Sequence, residues 1–154
     1  MERPNQFFHF WRLFWLSFLV ISLAYAGYCF YVPPNEIAWA ADYEAAQVQA
    51  KQTDKPMILY FTGEWCVPCR IMKRQVWADP QVMAKVNDRF IPVAIDVGDP
   101  KNSAVLDRYN VEGSPVTIIT DPLGNAETWR AGGTGKSDFL EFLGEVDSSK
   151  SKTS

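Results

Sequence analysis

The sequence has 154 residues, 47% of them apolar and 14% aromatic, with 15 Lys and Arg, 18 Asp and Glu, and three cysteines. This length and composition allow one ordinary folded domain, and they argue against a disordered protein and against a small disulfide framework. The formal net charge of −3 argues against a nucleic-acid partner, because a general nucleic-acid binder needs a basic face.

An uncharged, apolar run of twenty residues extends from Leu13 to Val32. As a helix it would be about 30 Å long, which is the thickness of the hydrocarbon core of a bilayer. Arg3 and Arg12 precede the run and aromatic residues cluster near its ends, as is typical of a helix whose N-terminus faces the cytoplasm. The pattern predicts cytoplasmic residues 1–12 and a transmembrane signal-anchor helix over residues 13–32.

The alternative for this segment is a signal peptide that is removed. Ala38-Trp39-Ala40 has the small-x-small form of a cleavage site, but the apolar run is longer than that of an ordinary signal peptide. A retained anchor is therefore favoured, and in either case the rest of the chain is delivered across a membrane. Cys29 lies inside the run and is interpreted as a small hydrophobic residue facing the membrane.

After a linker at residues 33–36, strands and helices alternate along the chain. Alternation of this kind predicts an α/β fold with a mostly parallel sheet covered on both faces, and a final hairpin adds an antiparallel edge. Pro92 cannot donate a ladder hydrogen bond, so its strand is expected to have one poorly paired side. The predicted strands are residues 37–39, 57–62, 90–97, 116–120 and 126–130. The predicted helices run from the cap at Asp42 to the closing residues 53–56, from 66 to 77, from 80 to 87, from 103 to 109, and from beyond Gly133 to 146, before a flexible tail at 147–154.

The chemistry is expected in the segment Trp65-Cys66-Val67-Pro68-Cys69. Two cysteines three residues apart at the start of a helix bring both sulfurs within reach of one disulfide. Unpaired backbone N–H groups and the helix dipole stabilise a thiolate at Cys66, which predicts that Cys66 is the attacking nucleophile. Cys69 lies one turn further along and is expected to be shielded, so it can resolve a mixed disulfide. Pro68 is tolerated in the first turn, where it stiffens the ring.

Two other uses of the cysteine pair are less favoured. A structural zinc site needs four ligands, whereas the chain has no second pair and its only histidine, His9, precedes the apolar run. A purely structural disulfide across so short a loop would constrain little chain entropy. The sequence therefore predicts redox chemistry, with no metal and no cofactor.

The segment MILYFTGEWCVPCR resembles the active-site segment of the thioredoxin superfamily. Ser114-Pro115 looks like the segment that carries the cis-proline of that fold, and Gly132-Gly133 resembles the glycine before its last helix. The resemblance covers roughly residues 37–146, and it looks closest to the branch that includes the C-terminal domain of the thiol:disulfide interchange protein DsbD. It implies a thioredoxin fold, with a central mixed sheet flanked by helices.

The resemblance also implies a role for each site residue. Cys66 would be the nucleophile and Cys69 the resolving thiol. Pro115 would face the disulfide, the backbone of Ser114 would pair with an extended substrate, and Trp65 would be the aromatic shoulder of the site.

Two residues depart from the family pattern. Tyr60 stands where thioredoxins have a buried Asp, and Pro92 stands where many have a Lys. The usual proton acceptor for Cys69 is therefore missing. Glu64 and Asp96 are nearby acidic candidates, although each is more simply explained as a solvated or capping carboxylate.

The leading hypothesis is a membrane-anchored thiol:disulfide oxidoreductase, with its domain on the periplasmic side of a bacterial inner membrane, or soluble in the periplasm after signal cleavage. Val67-Pro68 carries no cation and resembles the Gly-Pro of reducing thioredoxins, which favours a reductase of protein disulfides that a membrane electron-donor protein re-reduces. One alternative is a cytochrome-c maturation thioredoxin, a class that usually has an insertion before the cis-proline strand. The other alternative is a binding module that uses the groove beside Pro115.

Overall fold

The computed structural model of the chain describes residues 5–150, and the chain divides into two compact units, Met1–Val32 and Pro33–Ser154. The first unit consists of helix α1, Asn5–Phe30. Its stretch His9–Phe30 has a mean hydropathy of 1.8 and is long and apolar enough to cross a membrane, a property that anchors and signal sequences share. The helix ends two residues before the predicted boundary at Val32, because a residue that precedes proline is disfavoured in the helical conformation.

The second unit contains four strands and five α-helices among the described residues. The strands are β1 (Met57–Thr62), β2 (Ile91–Asp96), β3 (Val116–Thr120) and β4 (Ala126–Ala131). The helices are α2 (Tyr43–Thr53), α3 (Val67–Gln75), α4 (Pro80–Arg89), α5 (Ser103–Tyr109) and α6 (Lys136–Lys150), and a short 3-10 turn covers Pro100–Asn102.

The four strands form one mixed sheet in the order β2-β1-β3-β4. Only the pairing of β1 with β2 is parallel, so the prediction of a mostly parallel sheet is wrong, whereas the mixed sheet implied by the resemblance is confirmed. Helix α5 has 7 residues and spans about 10 Å, about half the length of a six-residue strand. It is too short to carry the chain back to the end of the sheet where β1 and β2 begin. Strand β3 therefore starts at the end where β2 stops and runs antiparallel to β1.

The strand predicted at residues 37–39 is absent, and only Ala40 forms an isolated bridge, to Val93. In this segment, backbone N–H groups donate hydrogen bonds to side chains and not to a neighbouring strand. Asn35 Oδ1 accepts a hydrogen bond from the Ile37 N–H at 3.3 Å, and Asn87 Oδ1 accepts one from the Ala38 N–H at 3.0 Å. Strand β2 is consequently an edge strand, which confirms the poorly paired side predicted from its proline.

The core consists of two layers, one on each face of the sheet. All six residues of β1 are buried, and alternate side chains point to opposite faces. Ile58 and Tyr60 pack with residues of α3, α4 and α6, whereas Leu59 and Phe61 pack with residues of α2 and α5.

The end of α6 differs from the predicted end at Val146. The helix continues to Lys150, four residues beyond the predicted end, and the flexibility of residues 147–154 stays a prediction. No glycine or proline follows Gly144 to stop the helix. The remainder of the predicted tail, residues 151–154, lies outside the described residues, as do residues 1–4 of the predicted cytoplasmic segment.

Candidate active site

The cysteine pair lies where the central strand β1 meets helix α3. Cys66 is the N-cap of α3, and its backbone N–H donates to the carbonyl of Gly63 at 3.3 Å. Cys66 and Cys69 form a disulfide, with their Cα atoms 5.2 Å apart. Pro68 lies in the first turn of the helix, where its missing N–H costs no hydrogen bond.

The two sulfurs have different surroundings. Cys69 is fully buried, whereas Cys66 is half-buried at the start of the helix. The Cys69 N–H points at Cys66 Sγ, with 3.2 Å between nitrogen and sulfur. Backbone N–H groups at a helix N-terminus stabilise negative charge, so this arrangement favours a thiolate at Cys66 once the disulfide is reduced.

The residues around the disulfide expose an apolar surface. Trp65 is 81% exposed and Val67 is 56% exposed. A shallow groove of about 640 Å³ runs beside Cys66, and Ser114 also lines it. Exposed apolar groups beside a reactive sulfur can contact a partner protein.

The bond between Ser114 and Pro115 is cis, the isomer that the resemblance implied. Pro115 is buried at the start of β3, and its carbonyl accepts a hydrogen bond from the Gly132 N–H at 2.8 Å. Ser114 is half-buried in the groove, in the position from which its backbone is expected to pair with a substrate.

The two acidic candidates for the proton acceptor, Glu64 and Asp96, both line the groove. Glu64 is exposed. Asp96 is also exposed, and its Oδ1 accepts a hydrogen bond from the Gly98 N–H at 2.8 Å, which is the capping role that the sequence favoured. Neither side chain occupies the buried side of the disulfide.

Tyr60 occupies the buried side of the pair. Its side chain is 1% exposed, and its hydroxyl donates to the Cys69 carbonyl at 3.2 Å. Burial raises the pKa of Tyr60 to about 12, so the phenol is neutral at neutral pH. The sequence indicated that a buried Asp was missing here, but it gave no sign of this hydrogen bond.

The comparisons with known sequences agree with this geometry. A family model described as thioredoxin-like matches residues 38–122. Thiol:disulfide interchange protein DsbD 1 of Pseudomonas aeruginosa is 34% identical over 108 residues, which cover 70% of this chain and 17% of that protein. The DsbD of Ralstonia nicotianae is 34% identical over 98 residues, which cover 61% of this chain and 16% of that protein. The chain thus spans about a sixth of the length of these curated relatives.

Solved structures show the same fold. A thioredoxin from Thermus thermophilus matches with a TM-score of 0.65 and 26% identity, over 71% of this chain and 86% of that chain. The reduced C-terminal domain of Neisseria meningitidis DsbD matches with a TM-score of 0.57 and 26% identity, over 66% of this chain and 91% of that chain. The chain therefore belongs to the thioredoxin-like family, and it is related to one domain of the thiol:disulfide interchange proteins.

Proposed function

We propose that the chain is a membrane-anchored thiol:disulfide oxidoreductase that reduces protein disulfides outside the cytoplasm, in a bacterial periplasm. The observation that carries this proposal is the difference between the two cysteines. Cys66 is half-buried at the N-terminus of α3, and Cys69 is fully buried one turn later. A pair of this kind separates the thiol that attacks from the thiol that resolves.

The reaction would proceed through a mixed disulfide. The Cys66 thiolate attacks one sulfur of a substrate disulfide, a bond forms between the two sulfurs, and the other substrate sulfur leaves as a thiolate. Cys69 then attacks Cys66 and releases the second substrate thiolate, so the substrate gains two electrons while the pair is oxidised. Another dithiol must then reduce the pair, and a membrane electron-donor protein is the proposed source.

The surface beside Cys66 supports binding of an extended substrate segment. Trp65 and Val67 offer exposed apolar contacts, and Ser114 lines the same groove. The backbone of Ser114 would pair with the segment, and Pro115 would keep the start of β3 beside the pair.

The proposed direction of the reaction, reduction of the substrate, and the proposed cellular location of the protein rest on other features. Val67 and Pro68, the two residues between the cysteines, carry no charge that would make the pair a strong oxidant. The apolar helix α1 supports an inner-membrane anchor, with the second unit on the periplasmic side. The name shared by the DsbD relatives, thiol:disulfide interchange protein, agrees with this reaction.

The segment between Cys69 and Pro115 bears on the cytochrome-c maturation alternative. Among the described residues it contains the rest of α3, then α4, β2, the 3-10 turn and α5. This segment has no additional element, which favours a general protein-disulfide reductase over the alternative.

A turnover assay tests the proposal. The full chain in detergent, supplied with dithiothreitol, should accelerate the reduction of insulin disulfides, and Cys66→Ser should abolish the acceleration. Cys29→Ser is the matched control, because Cys29 lies in α1 and should not affect turnover. Activity that persists in Cys66→Ser would instead indicate a binding module.

A further inference from the structure

The residue behind the disulfide connects the central strand to the helix that carries the pair. Tyr60 lies on β1, and its hydroxyl donates to the carbonyl of Cys69 in the first turn of α3. Its ring packs against Trp77 and Trp39, with centroid separations of 4.9 and 6.3 Å. The aromatic contacts fix the ring, and the hydroxyl is therefore held against Cys69.

The surroundings of this hydroxyl are apolar. The buried residues of its cluster are hydrophobic, and two polar side-chain atoms, Thr62 Oγ1 and Trp77 Nε1, also lie near the phenol. Burial raises the pKa of Tyr60, and these two atoms lower it in part. Neither atom has a hydrogen-bond partner, so neither forms a hydrogen bond with the phenol. The one described hydrogen bond of the phenol is therefore the one to Cys69.

We propose that Tyr60 is a positioning residue for the step in which Cys69 resolves the mixed disulfide. Once the disulfide is open, the hydrogen bond keeps the first turn of α3 against β1 and thus keeps Cys69 Sγ within reach of Cys66. A neutral phenol cannot take the proton of Cys69, so Tyr60 acts by placement alone. This inference rests on the proposed function, because it assigns a role within the same exchange.

The resolving step balances in protons, bonds and electrons. The Cys69 thiol releases its proton to solvent, and the thiolate attacks Cys66. The bond between Cys66 and the substrate sulfur breaks, and the substrate leaves as a thiolate that takes a proton from solvent. Tyr60 keeps its proton throughout, and no further oxidant is needed.

The two exchange steps can be observed separately with the aromatic disulfide dithiobis(nitrobenzoate). The full chain is studied in detergent, with Cys29→Ser in every protein so that only the pair reacts. Attack by reduced Cys66 releases one coloured thiolate at a rate that depends on reagent concentration. Resolution by Cys69 releases a second thiolate at a rate that does not depend on it. Rapid mixing therefore gives one rate for each cysteine.

Tyr60→Phe keeps the aromatic packing and removes only the hydroxyl. We expect it to slow the second release about threefold, the order expected for one hydrogen bond that positions a group, and to leave the first release unchanged. The same threefold loss of effective concentration would make the reduction potential less negative by about 14 mV, since a tenfold change corresponds to 29.6 mV.

Tyr109→Phe is the matched control. Its hydroxyl also donates to a backbone carbonyl, that of Gly124 at 2.8 Å, but the ring packs with the core layer on the opposite face of the sheet. It should change neither rate. An unchanged second release in Tyr60→Phe, or an equal slowing in Tyr109→Phe, would overturn the inference. A Cys29→Ser chain with Tyr60 and Tyr109 intact that releases no thiolate, or only one, would overturn the proposed function itself.

Discussion

The two cysteines differ in how far solvent reaches each side chain. Cys69 has no exposed surface, and its N–H points at the sulfur of the half-buried Cys66. Both features follow from one placement, because Cys66 is the N-cap of α3 and Cys69 faces inward from its first turn. Chemical reactivity should therefore differ between two residues of the same type that are three positions apart.

Alkylation measures this difference directly. Iodoacetamide at near-neutral pH should modify Cys66 of the reduced chain roughly tenfold or more faster than Cys69, since only Cys66 combines access with stabilisation of the thiolate. Mass spectrometry of peptides from timed samples gives both rates. In denaturant the two rates should converge, because the difference arises from the fold. Faster modification of Cys69 would reverse the assigned roles.

At the scale of elements, the junction between α3 and α4 depends on a tryptophan. Trp77 is fully buried between these helices, with ring centroids 4.9 Å from Tyr60, 5.0 Å from Trp39 and 4.9 Å from Phe139. Trp77 thus connects β1, the strand behind the disulfide, to α6 and to the segment that precedes α2. Trp77 therefore supports Tyr60 behind the active site and also contributes to the stability of the fold.

Replacement of Trp77 by a small residue should strongly destabilise the fold. Trp77→Ala should lower the free energy of unfolding by about 3–5 kcal/mol, because the large cavity cannot collapse completely. Chemical denaturation monitored by circular dichroism measures the change. Trp129→Ala, which removes a 63% exposed ring on β4, should stay within about 0.5 kcal/mol of the wild type. Equal losses in both variants would contradict the assigned role of Trp77.

An ion pair connects α6 to the start of α4. Lys136 Nζ lies 2.8 Å from Asp79 Oδ2, and Asp79 also caps α4 by accepting from the N–H groups of Gln81 and Val82. The hydrogen bond from Lys136, helped by those two N–H groups, holds the pKa of Asp79 below its usual 3.8. A carboxyl whose pKa is lowered by folding contributes stability above its unfolded pKa, and it loses this contribution as the pH falls through its folded pKa.

Lys136→Met should therefore lower the free energy of unfolding at neutral pH and make the decline of this free energy on acidification, as the pH falls below the usual carboxyl pKa, less steep. Denaturation curves at a series of pH values provide the measurement. Lys101→Met is the control, because Lys101 pairs with Asp99 only two residues away, an approach that the unfolded chain also allows. An unaltered pH dependence in Lys136→Met would show that the pair adds no stability.

At the scale of the whole molecule, local signals in the sequence predicted most elements and the position of the disulfide. The bounds of β1, α5 and β3 match their predictions, because apolar runs and turn residues mark both ends of each. The absent strand at residues 37–39 and the direction of β3 depend on distant partners and on the length of α5. The hydrogen bond from Tyr60 to Cys69 likewise depends on packing between elements, which no local pattern encodes.

The proposed topology can be tested on the intact chain. A reporter that is active only outside the cytoplasm, fused after Ser154, should give signal, because Arg3 and Arg12 hold the N-terminus inside. The protein should also remain in membranes washed with alkaline carbonate. Release into the soluble fraction, with a new N-terminus near Asp42, would show that the apolar segment is a cleaved signal peptide.

Trapping of the mixed disulfide tests the attacker–resolver mechanism most directly. Cys69→Ser should stall after the first exchange and accumulate mixed disulfides with its natural partners, seen as bands on non-reducing gels that dithiothreitol abolishes. Cys66→Ser should trap few or none, because Cys69 is buried, and Cys29→Ser should change neither result. Equal trapping by Cys66→Ser and Cys69→Ser would remove the distinction between attacker and resolver. The absence of trapping in both would contradict disulfide exchange by this pair.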